Sequence, residues 1–338
     1  MPKKTTDKRI TALVLAAGKS TRVKQDLPKV ITPLGGRPLI FHLLDTLVSL
    51  KRYVKETVVV LGHQKEIIEP VIKKEFPQVS FAYQKKMNGT AKAVAAGVPH
   101  ASEPDTLILC ADAPLITAET LKKFIASYFR QDKDGSLITS ILDKDNDFGR
   151  IERDSSENVI RIIEKKDLGK RDLPEVNSGI YLLKTELLGK GLKKIKMNQK
   201  KKEYYFTDII EIFSRSGLSI SAFNLKSWSE MIGINDQQAL AKAYKLLNCR
   251  YLEEKMTAGV RIIDPDTTFL SHNVKIGRNS VIYPFTFIEN NVIIGNNCHV
   301  GPFVHLRANT VLRDDVYIGV RSGGNGENPL SAPFALGK

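Results

Sequence analysis

A chain of 338 residues has room for roughly two domains at about 150 residues each. Lys and Arg number 51 against 37 Asp and Glu, a formal charge of +14, and the 42% hydrophobic content excludes a disordered chain. Mean hydropathy is −0.18, no apolar run approaches the roughly 20 residues of a membrane helix, and the three scattered cysteines (Cys110, Cys249, Cys298) form neither a disulfide framework nor a metal-ligand pattern. The basic start MPKKTTDKR leads into no apolar segment of a secretory signal, so the expectation is a reduced, cytoplasmic protein without a membrane partner.

Four runs, Ile10–Ala17, Thr57–Leu61, Val79–Tyr83 and Thr106–Cys110, are apolar on both faces, as strands of a covered parallel sheet must be. Between them Pro38–Leu50, Gln64–Phe76 and Thr90–Val98 carry helical spacing. Strand–helix alternation predicts a doubly wound α/β layer, in which ligands bind beyond the carboxyl ends of the strands. The first strand runs into LAAGKSTRVKQDLPKV, residues 15–30, a glycine-containing loop with two cations, Arg22 and Lys29. Its glycine spacing fits neither the P-loop nor the dinucleotide fingerprint. Backbone N–H groups after a buried strand can still approach phosphate oxygens closely. The strand at 106–110 ends on Asp112, a carboxylate placed to hold Mg²⁺ against phosphates, although an isolated aspartate there also reads as a turn residue.

From Gly135 to about Asn224 the pattern is mixed, with strands expected at Ser136–Leu142, Val159–Ile163 and Ile180–Leu183 and a helix at Thr207–Ser214. The lysine run Lys193–Lys202 has no interleaved aromatic residues, so an exposed charged face is the favoured reading and nucleic acid the weaker one. Asn235–Lys255 reads as one helix, capped by Asn235 or Asp236, with Leu240, Tyr244, Leu247 and Tyr251 as its apolar face and Gly259 ending it.

The last section is periodic. Aliphatic residues recur every six positions from Leu270 to Ile318, and a small or β-branched residue sits two positions before each, from Thr268 to Val316. Nine consecutive hits in both columns predict a parallel β-helix with three six-residue faces per turn, about three coils, and Gly277, Gly295, Gly301 and Gly319 at the corners. Beyond it the Gly/Pro/Ser-rich stretch to Lys338 has no aliphatic column and is expected to be poorly ordered.

Taken in order, LAAGKSTR, DLPKV, Gln84, NGTAKAV (88–94), CADAPLI (110–116), FGRI (148–151), IIEKKD (162–167), EVNSGIY (175–181), EYYFTDII (203–210) and MIGIN (231–235) resemble the bacterial bifunctional N-acetylglucosamine-1-phosphate uridylyltransferase/glucosamine-1-phosphate acetyltransferases over about residues 9–319. LAAGxxTR alone is common among sugar nucleotidyltransferases; its combination with DLPKV, GTAxAV and EYYxTD is far more specific. The resemblance implies a Rossmann-like doubly wound nucleotidyltransferase domain (1–235), a linker helix (236–263), a short left-handed parallel β-helix (264–319) and a tail (320–338). It implies UTP and N-acetylglucosamine 1-phosphate as partners in forming UDP-N-acetylglucosamine and pyrophosphate, Mg²⁺ as cofactor, and a homotrimer.

Residue by residue, the resemblance implies that Leu15, Ala16, Ala17 and Gly18 hold the nucleotide through backbone contacts and that Gln84, Gly89 and Thr90 read the uracil. Arg22 and Lys29 would stabilise developing charge, Gly149, Glu164, Asn177 and Asn235 would hold the amino sugar, and Asp112 with Asn235 would bind Mg²⁺. Three departures stand out: Cys110-Ala111-Asp112 replaces the family's Tyr-Gly-Asp, Asn88 replaces a leucine, and the acetyltransferase half is incomplete. Of that half GPFVHLR (301–307) remains, with Arg307 as a remnant phosphate-binding residue, and acetyl transfer is not expected of the chain as written. The alternatives are another sugar-1-phosphate nucleotidyltransferase, a bifunctional enzyme whose second half is incomplete here, or a module that binds nucleotide without turnover.

Overall fold

The computed structural model describes residues 8–18, 27–142, 146–169, 171–199 and 201–320. The chain divides into two compact units, Met1–Thr32 with Pro38–Leu240, and Pro33–Arg37 with Ala241–Lys338.

The first unit is built on a nine-stranded sheet. Its strands are β1 (Ile10–Ala16), β2 (Val54–Leu61), β3 (Ser80–Tyr83), β4 (Asp105–Cys110), β5 (Gly135–Ile141), β6 (Arg150–Arg153), β7 (Val159–Ile163), β8 (Glu175–Lys184) and β9 (Ile220–Leu225). The main order is β9-β5-β8-β4-β1-β2-β3, with β6 pairing both β8 and β7. β4, β1, β2 and β3 run parallel, whereas β8 lies antiparallel between β4 and β5. Alternate residues of β1 feed two cores: Ala12 and Val14 pack with Leu44, Leu47 and Phe124, while Leu13 packs with Val94, Leu137 and Phe213. Both sets are fully shielded, which is why these strands read as unbroken apolar runs.

The helices of this unit are α1 (Leu39–Ser49), α2 (Lys65–Glu75), α3 (Thr90–Gly97), α4 (Ala118–Gln131), α5 (Thr185–Leu192) and α6 (Asp208–Arg215). α1 and α4 cover one face of the sheet; α3, α5 and α6 cover the other. α4 is an addition to the expected elements. Thr117 caps it by accepting the Thr120 N–H at 3.2 Å, and Leu121, Phe124, Ile125 and Tyr128 form its buried stripe. β8 is also longer than the expected Ile180–Leu183, because its first half pairs with β5 and β6.

A further helix, α7 (Gln237–Thr257), begins with Asp236 as its cap, the Oδ1 accepting from the Ala239 N–H at 2.8 Å. From Ala241 onward it belongs to the second unit, where the buried side chains are Ala243, Leu247, Asn248 and Leu252. The expected apolar face of Leu240, Tyr244, Leu247 and Tyr251 is therefore turned by about one residue. The cause is what this face meets. Asn248 donates from Nδ2 to the Thr268 carbonyl and accepts the Leu270 N–H at Oδ1, both at 2.8 Å, closing the open edge of the first strand on one face of a β-helix.

That β-helix comprises three parallel sheets of two-residue strands. Strands pair at an offset of 18 residues, as in Phe269↔Phe287↔His305 and Lys275↔Ile293↔Val311, so three six-residue faces make one turn. The expected inward aliphatic column is buried from Leu270 to Leu306 except at Ile276, and half-buried at Ile276, Leu312 and Ile318. The corners differ from expectation. They are made by Asn273, Asn279, Phe285, Asn291, Asn297, Phe303, Asn309 and Asp315, all with φ between 55° and 65°. Asparagine and aspartate tolerate this left-handed backbone well. The glycines serve mainly close packing instead: a Cβ on Gly277 would lie 2.5 Å from the Gly295 carbonyl carbon in the next coil.

Candidate active site

The carboxyl ends of β1, β3 and β4 open on a cavity of about 580 Å³ in the first unit. Leu15, Ala16, Ala17 and Gly18 form one wall. The loop after β1 is held close to the end of β2, where a Cβ on residue 62 would meet the Ala17 carbonyl oxygen at 2.8 Å, which is why Gly62 has no side chain. Arg22 lies outside the described residues.

A second wall is built from the segment after β3. Gln84 is 8% exposed, its backbone N–H bonds to the Leu61 carbonyl at 2.8 Å, and its Nε2 donates to the Gly89 carbonyl at 3.1 Å. That leaves the amide oxygen for a ligand. Gly89 has φ 118°, and a Cβ there would lie 2.5 Å from the Tyr204 nitrogen. The close approach lets residues 88–91 ladder with Tyr204: Tyr204 N–H donates to the Asn88 carbonyl at 2.8 Å, and Ala91 N–H to the Tyr204 carbonyl at 3.0 Å. Thr90 Oγ1 accepts the Phe206 N–H at 3.0 Å. This pairing brings Glu203 and Tyr205 onto the cavity wall, two residues for which no site role was expected. The signal for them was the EYYFTDII segment, whose place beside residues 88–91 no spacing rule reveals.

At the end of β4 the Ala111 N–H continues the sheet by donating to the Leu15 carbonyl at 3.0 Å, and the chain then turns so that Asp112 faces the cavity. The Ile234 N–H donates to the Asp112 carbonyl at 2.8 Å, which sets Asn235 beside it. Glu230 anchors this loop by accepting from the Thr117 N–H and from Thr120 Oγ1 at the start of α4. Lys29 completes the group: its ammonium lies 2.7 Å from Asp112 Oδ2 and 3.4 Å from Asn235 Oδ1. Burial, reinforced by the Asp112 charge, pushes the neighbouring Cys110 thiol up to about 12, so it stays protonated and is no nucleophile.

Gly149, Glu164 and Asn177 do not line this cavity. They belong to a neighbouring cluster. The Asn177 N–H donates to the Gly149 carbonyl at 2.9 Å, its Nδ2 donates to the Tyr181 hydroxyl at 2.7 Å, and its Oδ1 accepts the Gly179 N–H at 3.1 Å. Glu164 accepts from Thr207 Oγ1 at 2.7 Å. Burial, with the nearby Glu211, Glu164 and Asp167 charges, raises Asp208 to about 6. Arg307 is on the exposed surface of the second unit, two residues from His305, whose Nε2 lies 2.8 Å from Glu289 Oε1.

The donors around Lys29 fit a magnesium ion by their chemistry. One carboxylate and one amide oxygen already converge on a single cation, the ammonium, and hard oxygen donors suit Mg²⁺, which keeps water and takes phosphate oxygens for its remaining positions. Among the described residues no group of three or more His, Cys, Asp or Glu could hold a metal without such help. No helix among them is long and apolar enough to cross a membrane.

A doubly wound sheet of this kind, followed along the chain by a six-residue-repeat β-helix, has its ligand cleft at the carboxyl edge of the strands. Residues 12–144 match the MobA-like NTP transferase domain family, and residues 273–308 match the bacterial transferase hexapeptide (six repeats) family, whose β-helix is left-handed. The chain is 37% identical over 277 residues to the bifunctional protein GlmU of Geobacillus sp. (strain WCH70) and 38% identical over 277 residues to that of Geobacillus thermodenitrificans (strain NG80-2). Each alignment covers 81% of this chain and 59% of the relative, so the chain spans little more than half the length of the curated relatives it matches. The fold is also like that of the inositol-1-phosphate CTP transferase from T. maritima, with a TM-score of 0.57 at 15% identity over 71% of this chain and 95% of that one. The chain is a nucleotidyltransferase that resembles GlmU.

Proposed function

We propose that the chain is a cytoplasmic UTP:N-acetylglucosamine-1-phosphate uridylyltransferase, with residues 1–235 carrying the reaction. The observation that carries this reading is the convergence of Lys29, Asp112 and Asn235 at one end of a cavity whose opposite wall presents Gln84, Gly89 and Thr90, in a chain 37% identical to a GlmU. Gln84, with its nitrogen committed to Gly89, offers an amide oxygen to an N–H of a pyrimidine. Gly89 lets a flat base approach the backbone. Gly149, Glu164 and Asn177 take the sugar's hydroxyl and acetamido groups.

A phosphate oxygen of the sugar phosphate attacks the α-phosphorus of UTP and pyrophosphate leaves. The nucleophile is already an anion, so the barrier is repulsion and charge accumulation rather than proton removal. Lys29, with Arg22 of the same loop, neutralises that charge. Asp112 and Asn235 would hold Mg²⁺, which would supply further positive charge beside the phosphates. Leu15 to Gly18 hold the nucleotide through their backbone, fixing the phosphorus for in-line approach.

We also propose that the β-helix assembles three copies of the chain. Its support is apolar surface: Phe285 and Phe303 stack at 5.0 Å with an interplanar angle of 4° while 55% and 66% exposed, and both hold a left-handed backbone that a bulky residue adopts only at a cost. A monomer in light scattering would refute the assembly. The activity is tested by pyrophosphate release from each of four NTPs with several sugar 1-phosphates; absence of a preference for UTP with N-acetylglucosamine 1-phosphate refutes the assignment.

A further inference from the structure

Lys29 sits where a divalent ion would need to be. Its side chain is 11% exposed and its ammonium is held by Asp112 Oδ2 at 2.7 Å and Asn235 Oδ1 at 3.4 Å. A Mg²⁺ ion draws its oxygen ligands to about 2.1 Å. The same two oxygens cannot serve that ion while an ammonium stays on them, because the two cations would be in repulsive contact. The backbone at this point cannot yield: Lys29 opens a short 3-10 turn, Lys29–Ile31, whose Val30 and Ile31 are buried. The four-carbon stem can, since lysine is a point charge on a flexible chain.

The geometry points to Lys29 as an exchangeable cation: its ammonium and a divalent ion take the Asp112–Asn235 oxygen pair in turn, and a phosphate group entering the cleft draws the lysine off. The inference rests on the reading that this cleft takes a nucleoside triphosphate. An ammonium displaced with no anion to receive it is left nearly buried and unpaired, which opposes displacement. A phosphate supplies that anion. Divalent ion and nucleotide therefore favour each other's binding, and by linkage the effect is equal in both directions. Asp112 meanwhile keeps a cation beside it with either occupant.

The test uses Mn²⁺ as probe on the full chain without nucleotide, with free ion measured by electron paramagnetic resonance. Lys29→Met is expected to bind Mn²⁺ at least tenfold more tightly than the unaltered protein, and Lys29→Arg, which keeps the charge, to stay within threefold of it. A second readout needs no variant. Saturating Mn²⁺ should raise acetylation of Lys29 by a small acylating reagent at least threefold, read by mass spectrometry, because the amine has left its partners. Equal Mn²⁺ affinity in Lys29→Met and the unaltered chain, or unchanged Lys29 labelling, overturns the exchange. Equilibrium dialysis with UTP separates the two claims: UTP retained with no exchange refutes the exchange alone, whereas no retention of UTP removes the reading beneath it as well.

Discussion

The β-helix should depend on one amide. Asn248 is 5% exposed and bonds with both ends of its side chain to the first strand on one face, Phe269–Leu270. The flanking residues point the other way: Phe269 N–H donates to the Thr286 carbonyl and Ser271 N–H to the Ile288 carbonyl, in the next coil. The Thr268 carbonyl and Leu270 N–H thus meet only α7, and Asn248 acts as the missing neighbouring strand. Asn248→Ala would strand one donor and one acceptor in a buried place. At about 1–3 kcal/mol for each unsatisfied group, and with some relief from water entering the gap, the expected loss is about 2–4 kcal/mol of local stability. Hydrogen exchange by mass spectrometry measures this directly on peptides spanning residues 261–290. The opening free energy of the 268–271 segment should fall by that amount, while peptides of β1 and β4 keep their protection. Unchanged protection at 268–271 in a variant shown to have lost the amide would refute the capping argument.

Three other outcomes follow from particular contacts. Asp208 has its carboxyl raised to about 6 from 3.8, so the native state holds a proton that the unfolded chain releases: the stability this gives is full below about pH 4 and lost as pH rises through 6. The group is about half-buried, so after solvent screening the change is about 1 kcal/mol, and Asp208→Asn should gain on the unaltered protein in urea unfolding at pH 7.5 but not at pH 4; parallel curves would contradict this. Tyr181→Phe removes the hydroxyl that holds Asn177 Nδ2 at 2.7 Å, and should raise KM for the sugar phosphate several-fold, about 1 kcal/mol, with KM for UTP unmoved. Gly277→Ala places a methyl 2.5 Å from the carbonyl carbon of Gly295, where backbone cannot give way, and should cost about 1–3 kcal/mol, read as a lower thermal midpoint for the β-helix.

Much of this architecture was legible because burial on both faces leaves an unmistakable trace. β1, β2 and β4 fall where unbroken apolar runs place strands, and the six-residue columns state the β-helix coil by coil. Strand direction leaves no such trace. The same apolar run serves a parallel or an antiparallel neighbour, so nothing in EVNSGIYLL announces that β8 enters the sheet reversed. The β-helix corners show a subtler failure. Glycine is the usual residue for left-handed backbone, but here a six-residue column carries it that is asparagine or aspartate at Asn273, Asn279, Asn291, Asn297, Asn309 and Asp315 and is interrupted by Phe285 and Phe303. On α7 the apolar stripe misled for the opposite reason. A helix that closes a strand edge must offer a polar amide at the centre of its buried face, so Asn248 is inside and Leu240 is only partly covered.

The candidate site divides along the same line. Residues that lie just past a strand end, such as Leu15 to Gly18, Gln84 and Asp112, are found by one rule about α/β sheets, and the cavity gathers all of them. Residues that arrive from a distance in sequence are not. Asn235 reaches Lys29 only because the Ile234 N–H is tied to Asp112 and Glu230 is tied to the start of α4, a helix absent from the expected elements. Glu203 and Tyr205 join the wall through the Tyr204 ladder with residues 88–91, and that ladder exists because residue 89 has no side chain. Gly89 is thus more than an open stretch of cavity wall. By admitting the Tyr204 backbone it couples this cavity wall to Thr207, and through Thr207 Oγ1 to Glu164 in the neighbouring cluster. A side chain at position 89 would therefore be felt in both the cavity wall and the neighbouring cluster, unlike the loss of the Tyr181 hydroxyl, whose contact with Asn177 lies within that cluster alone.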